Sequence, residues 1–262
     1  MLTAVTGINW GDEGKGRVID LLAEHADIVV RYQGGNNAGH TVVNKQGKFV
    51  LNLLPSGILH PDVVCVLGDG MVIDLNHLSN EIAQIRTQDV SVSPKNLKLS
   101  TRATISMPWH KIQDELEEER LSKSGAAFGS TKRGIAYAYS DKYRKKTIRL
   151  GDLLHLDEEN IKARLKTMLD AKNLELAGCY HQEPMSYPAL LSWCEKQAQQ
   201  FAPYITDTGD YLNTALRADK KVVLEAQLGA MRDIDYGIFP YTSSSSTISA
   251  SVSYTHLRAH ET

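Results

Sequence analysis

Leu2-Thr3-Ala4-Val5-Thr6-Gly7-Ile8-Asn9-Trp10-Gly11-Asp12-Glu13-Gly14-Lys15-Gly16-Arg17-Val18-Ile19-Asp20-Leu21-Leu22 is the stretch on which the fold turns. Leu2 to Thr6 is a short, largely apolar run ending at Gly7, which predicts a buried strand. Gly7 to Gly16 is a glycine-rich turn. From Lys15 to Ala26, Val18, Ile19, Leu22 and Ala26 recur at helical spacing. Asp27-Ile28-Val29-Val30-Arg31-Tyr32 predicts a second strand. Strand, turn, helix, strand makes a βαβ unit, which implies parallel strands with helices packed against them.

Working outward, Thr41 to Val43 and Lys48 to Leu54 predict a hairpin around Asn44-Lys45-Gln46-Gly47. Val63 to Leu67 is a further apolar strand, closed by Gly68-Asp69-Gly70. Helical patterns cover Leu75 to Gln88, Pro108 to Lys123, Glu158 to Leu169, Pro188 to Phe201 and Gly209 to Lys220, and Lys221 to Glu225 returns to strand. The expected class is α/β: a largely parallel central sheet with flanking helices and a phosphate-loop-like turn after the first strand. Residues 1–250 are expected to form one domain. Thr242 to Ser246 is a serine run, and residues 251–262 have neither period nor capping logic, so that tail is expected to be a non-native addition outside the fold.

Composition excludes several classes. The 29 basic and 31 acidic residues leave a net charge of -2, which is no electrostatic footprint for nucleic acid or an anionic membrane. No apolar run approaches the roughly 20 residues that span a bilayer, and the first residues lack the basic and apolar regions of a signal peptide. Cys65, Cys179 and Cys194 are widely spaced and form no CxxC pair, so neither a disulfide framework nor a zinc site is expected. Buried or inert thiols in a reducing cytoplasm fit better.

The chemistry concentrates in two loops. In the first, glycines let backbone N–H groups approach phosphate oxygens, the helix N-terminus adds positive potential, and Lys15 can reach the outer phosphates. The spacing is not that of a Walker A loop, since Gly16 replaces the hydroxyl residue after the lysine. A carboxylate must then help to hold magnesium, and Asp12 is the nearest. In the second, Gln33-Gly34-Gly35-Asn36-Asn37-Ala38-Gly39-His40 follows a neighbouring strand, and open α/β sheets bind ligands at strand carboxyl ends. Asp12 and His40 can therefore face one crevice as a base and acid pair. The competing structural readings are a joining turn for the first loop, a helix cap for Asp12 and a structural role for His40.

Trp10-Gly11-Asp12-Glu13-Gly14-Lys15-Gly16 followed by Val30-Arg31-Tyr32-Gln33-Gly34-Gly35-Asn36-Asn37-Ala38-Gly39-His40-Thr41 closely resembles the adenylosuccinate synthetases. So do, in order, Leu54-Pro55-Ser56-Gly57-Ile58-Leu59, Gly129-Ser130-Thr131-Lys132-Arg133-Gly134-Ile135, and Leu224-Glu225-Ala226-Gln227 running on to Asp233-Ile234-Asp235-Tyr236-Gly237 and Pro240-Tyr241-Thr242-Ser243-Ser244. The resemblance implies a GTP-dependent ligase that joins IMP to L-aspartate through a 6-phosphoryl-IMP intermediate, with Mg²⁺, in a cytoplasmic homodimer that binds neither nucleic acid nor membrane.

By the same resemblance Asp12 is the general base and His40 the general acid. Asp12, Glu13, Gly14, Lys15, Gly16, Gly39, His40 and Thr41 serve GTP, and Asp12 with the Gly39 carbonyl serves Mg²⁺. Asp12, Lys15, Asn37, Ala38, Gly39, His40, Thr131, Lys145, Gln227, Thr242 and Ser243 serve IMP, with Lys145 reaching across the dimer. The sequence departs from the family pattern where it reads Glu225-Ala226-Gln227-Leu228-Gly229, so the register of Gln227 is open, and Thr242 and Ser243 compete for one hydroxyl role. The family's arginine-rich aspartate loop and Lys-x-Asp guanine reader are not in these residues. The chain is therefore expected to be an N-terminal portion, with a catalytically silent nucleotide-binding fragment as the alternative.

Overall fold

The structure is a computed structural model, and it describes residues 1–45, 47–127 and 129–248. The tail expected from 251 onward lies outside the described residues, as does Gln46 in the hairpin turn. A parallel sheet runs through the molecule in the order β1 (Leu2–Gly7), β9 (Val222–Gly229), β2 (Ile28–Gly34), β5 (Val64–Ile73), β6 (Leu97–Ser100), β8 (Ile205–Thr206), with β7 (Thr104–Ile105) also paired to β5. A separate antiparallel hairpin is formed by β3 (His40–Asn44) and β4 (Gly47–Leu51). The helices are α1 (Lys15–Ala23), α2 (Leu75–Arg86), α3 (Pro108–Lys123), α4 (Ile135–Tyr143), α5 (Glu159–Tyr180), α6 (Tyr187–Phe201) and α7 (Thr208–Arg217).

The expected βαβ unit is present, but β1 and β2 are not neighbours: β9, the last strand in the chain, lies between them. Every residue of β2 is buried, which is why it reads as a continuous apolar run interrupted only by Arg31 and Gln33. A large core cluster takes in Ile19, Val29, Leu67, Ile73, Leu97 and Trp109, and a smaller one under α7 takes in Val30, Tyr32, Val66, Leu212 and Leu224.

Several sequence readings need correction. The core-facing positions of α1 are Ile19 and Ala23, while Val18, Leu21 and Leu22 are exposed. The strand expected to close at Gly68 continues to Ile73. The helix expected to end at Leu169 runs to Tyr180, because Lys172 occupies a core-facing position and continues the period to Leu176. The nine-residue α4, absent from the sequence reading, buries Ile135, Ala138 and Tyr139 at positions i, i+3 and i+4. The serine run lies within the residues expected to fold, and there the Asp233 carboxylate accepts from the Thr247 N–H at 2.6 Å and the Ser246 hydroxyl at 3.0 Å. All three cysteines are free thiols, with Cys65 and Cys194 buried as expected and Cys179 exposed.

Candidate functional site

Glycines end the three adjacent strands β1, β9 and β2, at Gly7, Gly229 and Gly34. Their carboxyl ends open onto the crevice where the two loops meet. Gly7 is needed for close approach, since a Cβ there would lie 2.8 Å from the Leu228 carbonyl oxygen and 2.9 Å from Lys15 Nζ. Lys15 is therefore folded back under the loop, buried, with its ammonium donating to the Gly11 carbonyl at 3.0 Å and 3.7 Å from Glu13. Burial holds its pKa below the ordinary lysine value, and the charges of Glu13 and Glu225 oppose that shift. Asp12 is exposed and makes no hydrogen bond or ion pair among the described residues. Glu13 accepts from the Asn9 N–H at 2.5 Å, which closes the loop on itself. Gly14 caps α1 in the left-handed region at φ 85°.

α1 brings this loop against the hairpin. A Cβ on Gly16 would lie 3.0 Å from the Cβ of His40. Along β3, His40 and Val42 point inward and Thr41 and Val43 outward. His40 Nδ1–H donates to Glu225 Oε1 at 2.6 Å, and its Nε2 is buried without a partner. Glu225 also accepts from the Ser56 N–H at 2.8 Å and the Ser56 hydroxyl at 2.9 Å. Burial works against its ionisation, but His40, the Arg31 charge and the Ser56 N–H together keep its pKa below the usual carboxylate value. Arg31 is its register partner across β2 and β9, and is itself fully buried.

The loop that leads to His40 is held from β9. Gln227 Nε2 donates to the carbonyls of Gly35 at 2.7 Å and Ala38 at 3.1 Å, and its Oε1 accepts from the Gly35 N–H at 2.9 Å. The Gln227 amide is thus spent on the loop backbone, and it is Leu228, in the left-handed region at φ 63°, that lines the neighbouring cavity. Gly39 is exposed at the loop end, beside Asn52. Asn37 Oδ1 and Asn36 Oδ1 are buried and unpartnered, as His40 Nε2 is. Buried polar atoms are almost always paired, so three orphans on one five-residue loop mark a place where a ligand supplies the missing partners.

That cavity, of about 440 Å³, lies beside the two loops. Trp10 comes from the glycine-rich turn, Asn37 from the second loop, Thr131 from the loop before α4, and Leu228, Arg232, Thr242 and Ser243 from the end of β9 onward. Four residues expected to serve one substrate (Asn37, Thr131, Thr242 and Ser243) are therefore brought to one wall system from positions spread over the chain. The loop carrying Thr131 is tied to α3 on either side of that residue. Asp114 accepts from the Ser130 hydroxyl at 2.5 Å and the Gly134 N–H at 2.8 Å, and Glu118 accepts from the Gly129 N–H at 2.7 Å. α4 itself is tied over the strand ends by Tyr139, whose hydroxyl accepts from the Gly34 N–H at 2.9 Å and donates to the Gly70 carbonyl at 2.9 Å.

Lys145 is not at this cavity. It follows α4 on the exposed surface, in the left-handed region at φ 62°. Sequence reasoning missed Glu225, Arg31, Ser56 and Arg232. The first two carried a signal: an isolated charge inside an apolar strand, as in Ile28-Val29-Val30-Arg31 and Val222-Val223-Leu224-Glu225, requires a buried partner.

The family model described as adenylosuccinate synthetase matches residues 4–260. Adenylosuccinate synthetase from Caldicellulosiruptor bescii is 46% identical over 244 residues, which is 93% of this chain and 56% of that protein. The one from Carboxydothermus hydrogenoformans is 47% identical, over 91% of this chain and 55% of its own length. Among solved structures, fully ligated adenylosuccinate synthetase from Plasmodium falciparum is similar at TM-score 0.87 and 36% identity, covering 98% of this chain and 58% of that one. The chain thus spans about half the length of the relatives it matches. A cyanophage S-2L succinoaminodeoxyadenylate synthetase, 20% identical at TM-score 0.63, shares the fold.

Proposed function

The chain belongs to the adenylosuccinate synthetase family, and from that premise we propose that it carries the IMP-activating half of a GTP-dependent ligase. The observation that supports this best is His40. Its Nδ1 is fixed by a buried carboxylate, its Nε2 is buried and free to meet a ligand, and it lies against the start of the helix that carries Lys15. Asp12 takes the N1 proton of IMP. The 6-oxygen attacks the γ-phosphorus of GTP and GDP leaves, with His40 donating to the developing charge. The amine of L-aspartate then adds at C6, the 6-phosphoryl group departs as phosphate, and adenylosuccinate remains. Phosphorylation comes first because an unactivated purine oxygen is a poor leaving group. Backbone N–H groups of Asp12 to Gly16, with Lys15, cradle the nucleotide phosphates, with Gly39, His40 and Thr41 alongside. Burial lowers the Lys15 pKa, and an incoming phosphate would act in the opposite direction by favouring the ammonium form.

Mg²⁺ suits the donor set. It is usually held by one or two carboxylates together with substrate phosphates and water, not by an all-protein cage. An exposed, unengaged Asp12 beside a phosphate loop meets that need, and the absence of a cluster of three His, Cys, Asp or Glu among the described residues is compatible with it. Asp12 and the Gly39 carbonyl are the proposed ligands, and the ion would neutralise charge on the phosphate oxygens.

IMP is assigned to the cavity of Asn37, Thr131, Thr242 and Ser243, with Ala38 held by Gln227 and acting through its backbone. Exposed Lys145 is left to serve a second copy in a homodimer. A cytoplasmic location is part of the same proposal. A second reading, a nucleotide-binding fragment without turnover, is favoured by the 56% coverage of the relatives' length.

The test is adenylosuccinate formation from IMP, aspartate and Mg·GTP, followed by absorbance, with ¹⁸O placed in the 6-oxygen of IMP. Label recovered in phosphate supports the ligase chemistry; GTP cleavage without label transfer contradicts it. Nucleotide binding with neither reaction selects the silent-fragment reading. In an active form, Asp12→Asn and His40→Asn are each expected to remove turnover, and wild-type rates in either would sink the acid and base assignments.

A further inference from the structure

Gly39 and Asn52 meet just past the end of the hairpin. His40 pairs with Leu51 in the β3–β4 register, so Gly39 and Asn52 are the next residues outward on the two arms. Asn52 Nδ2 lies 2.7 Å from where a Cβ on Gly39 would stand. Gly39 is not in the left-handed region, so its backbone conformation does not demand glycine; the room taken by the Asn52 amide does. Asn52 is itself fixed at three points. Its N–H donates to Glu81 Oε1 at 2.7 Å, its carbonyl accepts from the Arg31 guanidinium, and its Oδ1 accepts from His77 Nε2–H at 3.2 Å. With the oxygen held by His77, the NH₂ end of the amide is the one turned to Gly39.

These holds come largely from one face of α2 and its N-cap, where Asp74, His77 and Glu81 stand at i, i+3 and i+7. Asp74 accepts from the His77 N–H at 2.9 Å and from the Asn36 side-chain amide at 3.2 Å. Buried Glu81 accepts from the Leu53 N–H at 2.9 Å and the Leu54 N–H at 3.2 Å as well as from Asn52. α2 thus grips the His40 segment on both sides, at Asn36 before it and at residues 52–54 after the hairpin. Groups that orient a metal's ligands tune its binding nearly as much as the ligands do. We propose that Asn52, held by His77, is a positioning residue for the Gly39 carbonyl and sets its direction toward Mg²⁺. Asn52 touches neither ion nor nucleotide in this role; it acts through the Gly39 backbone, which the exposed loop end does not otherwise fix. The proposal rests on the reading of the Gly39 carbonyl as a Mg²⁺ ligand.

The test is equilibrium binding of GTP to the chain, with Mg²⁺ and with EDTA, in wild type, N52A, H77L and H77Q, with thermal melting as the check on folding. Wild type is expected to bind more tightly with Mg²⁺. N52A and H77L are each expected to lose roughly tenfold of that enhancement, with binding in EDTA held, whereas a merely structural role would lower both alike. H77Q keeps an N–H donor for Asn52 and is expected to keep the enhancement. G39A reads the contact without nucleotide. Its methyl is expected to lower the melting temperature in the wild-type background and less so in N52A, where the amide no longer fills the space. Unchanged Mg²⁺ enhancement in a folded N52A or H77L overturns the positioning role and leaves the metal reading standing. Equal melting losses for G39A in the two backgrounds overturn the contact itself. Wild-type GTP binding that Mg²⁺ does not tighten overturns Gly39 as a ligand and this inference with it. A wild-type chain that does not bind GTP overturns the nucleotide reading on which both rest.

Discussion

Glu225 holds the site together at the level of single residues. It is fully buried, accepts from His40 and Ser56, and faces the buried charge of Arg31 across the β2–β9 pairing. Removing one partner of a buried pair leaves the other charge stranded. Glu225→Gln is therefore expected to cost about 3 kcal/mol in chemical denaturation, and in an active form to slow turnover by freeing the His40 ring. A loss under about 1 kcal/mol would mean that Arg31 finds its compensation elsewhere. Gly7 is a second such point, because its missing side chain is the space used by Leu228 and Lys15. Gly7→Ala is expected to destabilise by about 1–3 kcal/mol and to weaken binding of GTP, read by the same denaturation and by equilibrium dialysis. Unchanged GTP affinity would separate Lys15 from the phosphates. The residues proposed to carry chemistry (Asp12, Lys15, His40) were legible because they lie in, or directly follow, the loops after β1 and β2. Glu225 and Arg31 were visible only as charges out of place, since nothing local says which buried group answers them.

Among the elements, α3, α4 and α5 meet at a buried polar junction. The Met107 N–H donates to His110 Nδ1 at 3.0 Å, so His110 Nε2–H donates to Asp141 at 3.0 Å, and Lys172 lies 3.1 Å from the same carboxylate. Burial lowers the His110 pKa, opposed by Asp141. A histidine whose folded pKa lies below its unfolded value of about 6.5 contributes stability that is present above that pH. That stability is lost as pH falls toward the lowered folded value. Denaturation between pH 7 and 5 is expected to show falling stability, with a shallower slope in His110→Asn. Equal slopes would remove His110 as the source. This junction also explains why α5 outran its sequence pattern. Lys172 buries at a core position by pairing with Asp141 and Glu175, a contact that hydrophobic periodicity cannot register. α4 escaped notice because nine residues with three apolar contacts give little periodic signal.

For the whole molecule, the decisive feature is the late arrival of β9. Residues 222–229 insert between strands formed by residues 2–7 and 28–34, and bring Glu225 to His40, Gln227 to Gly35 and Leu228 to the glycine-rich turn. The site is therefore assembled only when the chain is folded through β9 and its Asp233-anchored continuation. β1 pairs with β9 alone among the described strands, and α1 beside it exposes Val18, Leu21 and Leu22 on one face. An edge strand next to an apolar helix face favours self-association. Leu21→Lys is expected to lower the associated fraction in sedimentation velocity without lowering the melting temperature. An unchanged associated fraction would assign association to another surface.

The sequence by itself determined the α/β class, the βαβ unit, the glycine-rich turn and the polar loop ending at His40, because strand runs, glycine positions and helical periods are local and short-range sterics set them. Only the tertiary structure decided the strand order, the pairing of His40 with Glu225, the commitment of Gln227 to the loop backbone and the placing of Arg232 at the cavity. Of those contacts, His40 with Glu225 and Gly35 with Gln227 join residues 185 and 192 positions apart. Which distant groups meet depends on how one parallel sheet buries all its apolar faces at once, and that is a property of the packed chain and of no segment within it.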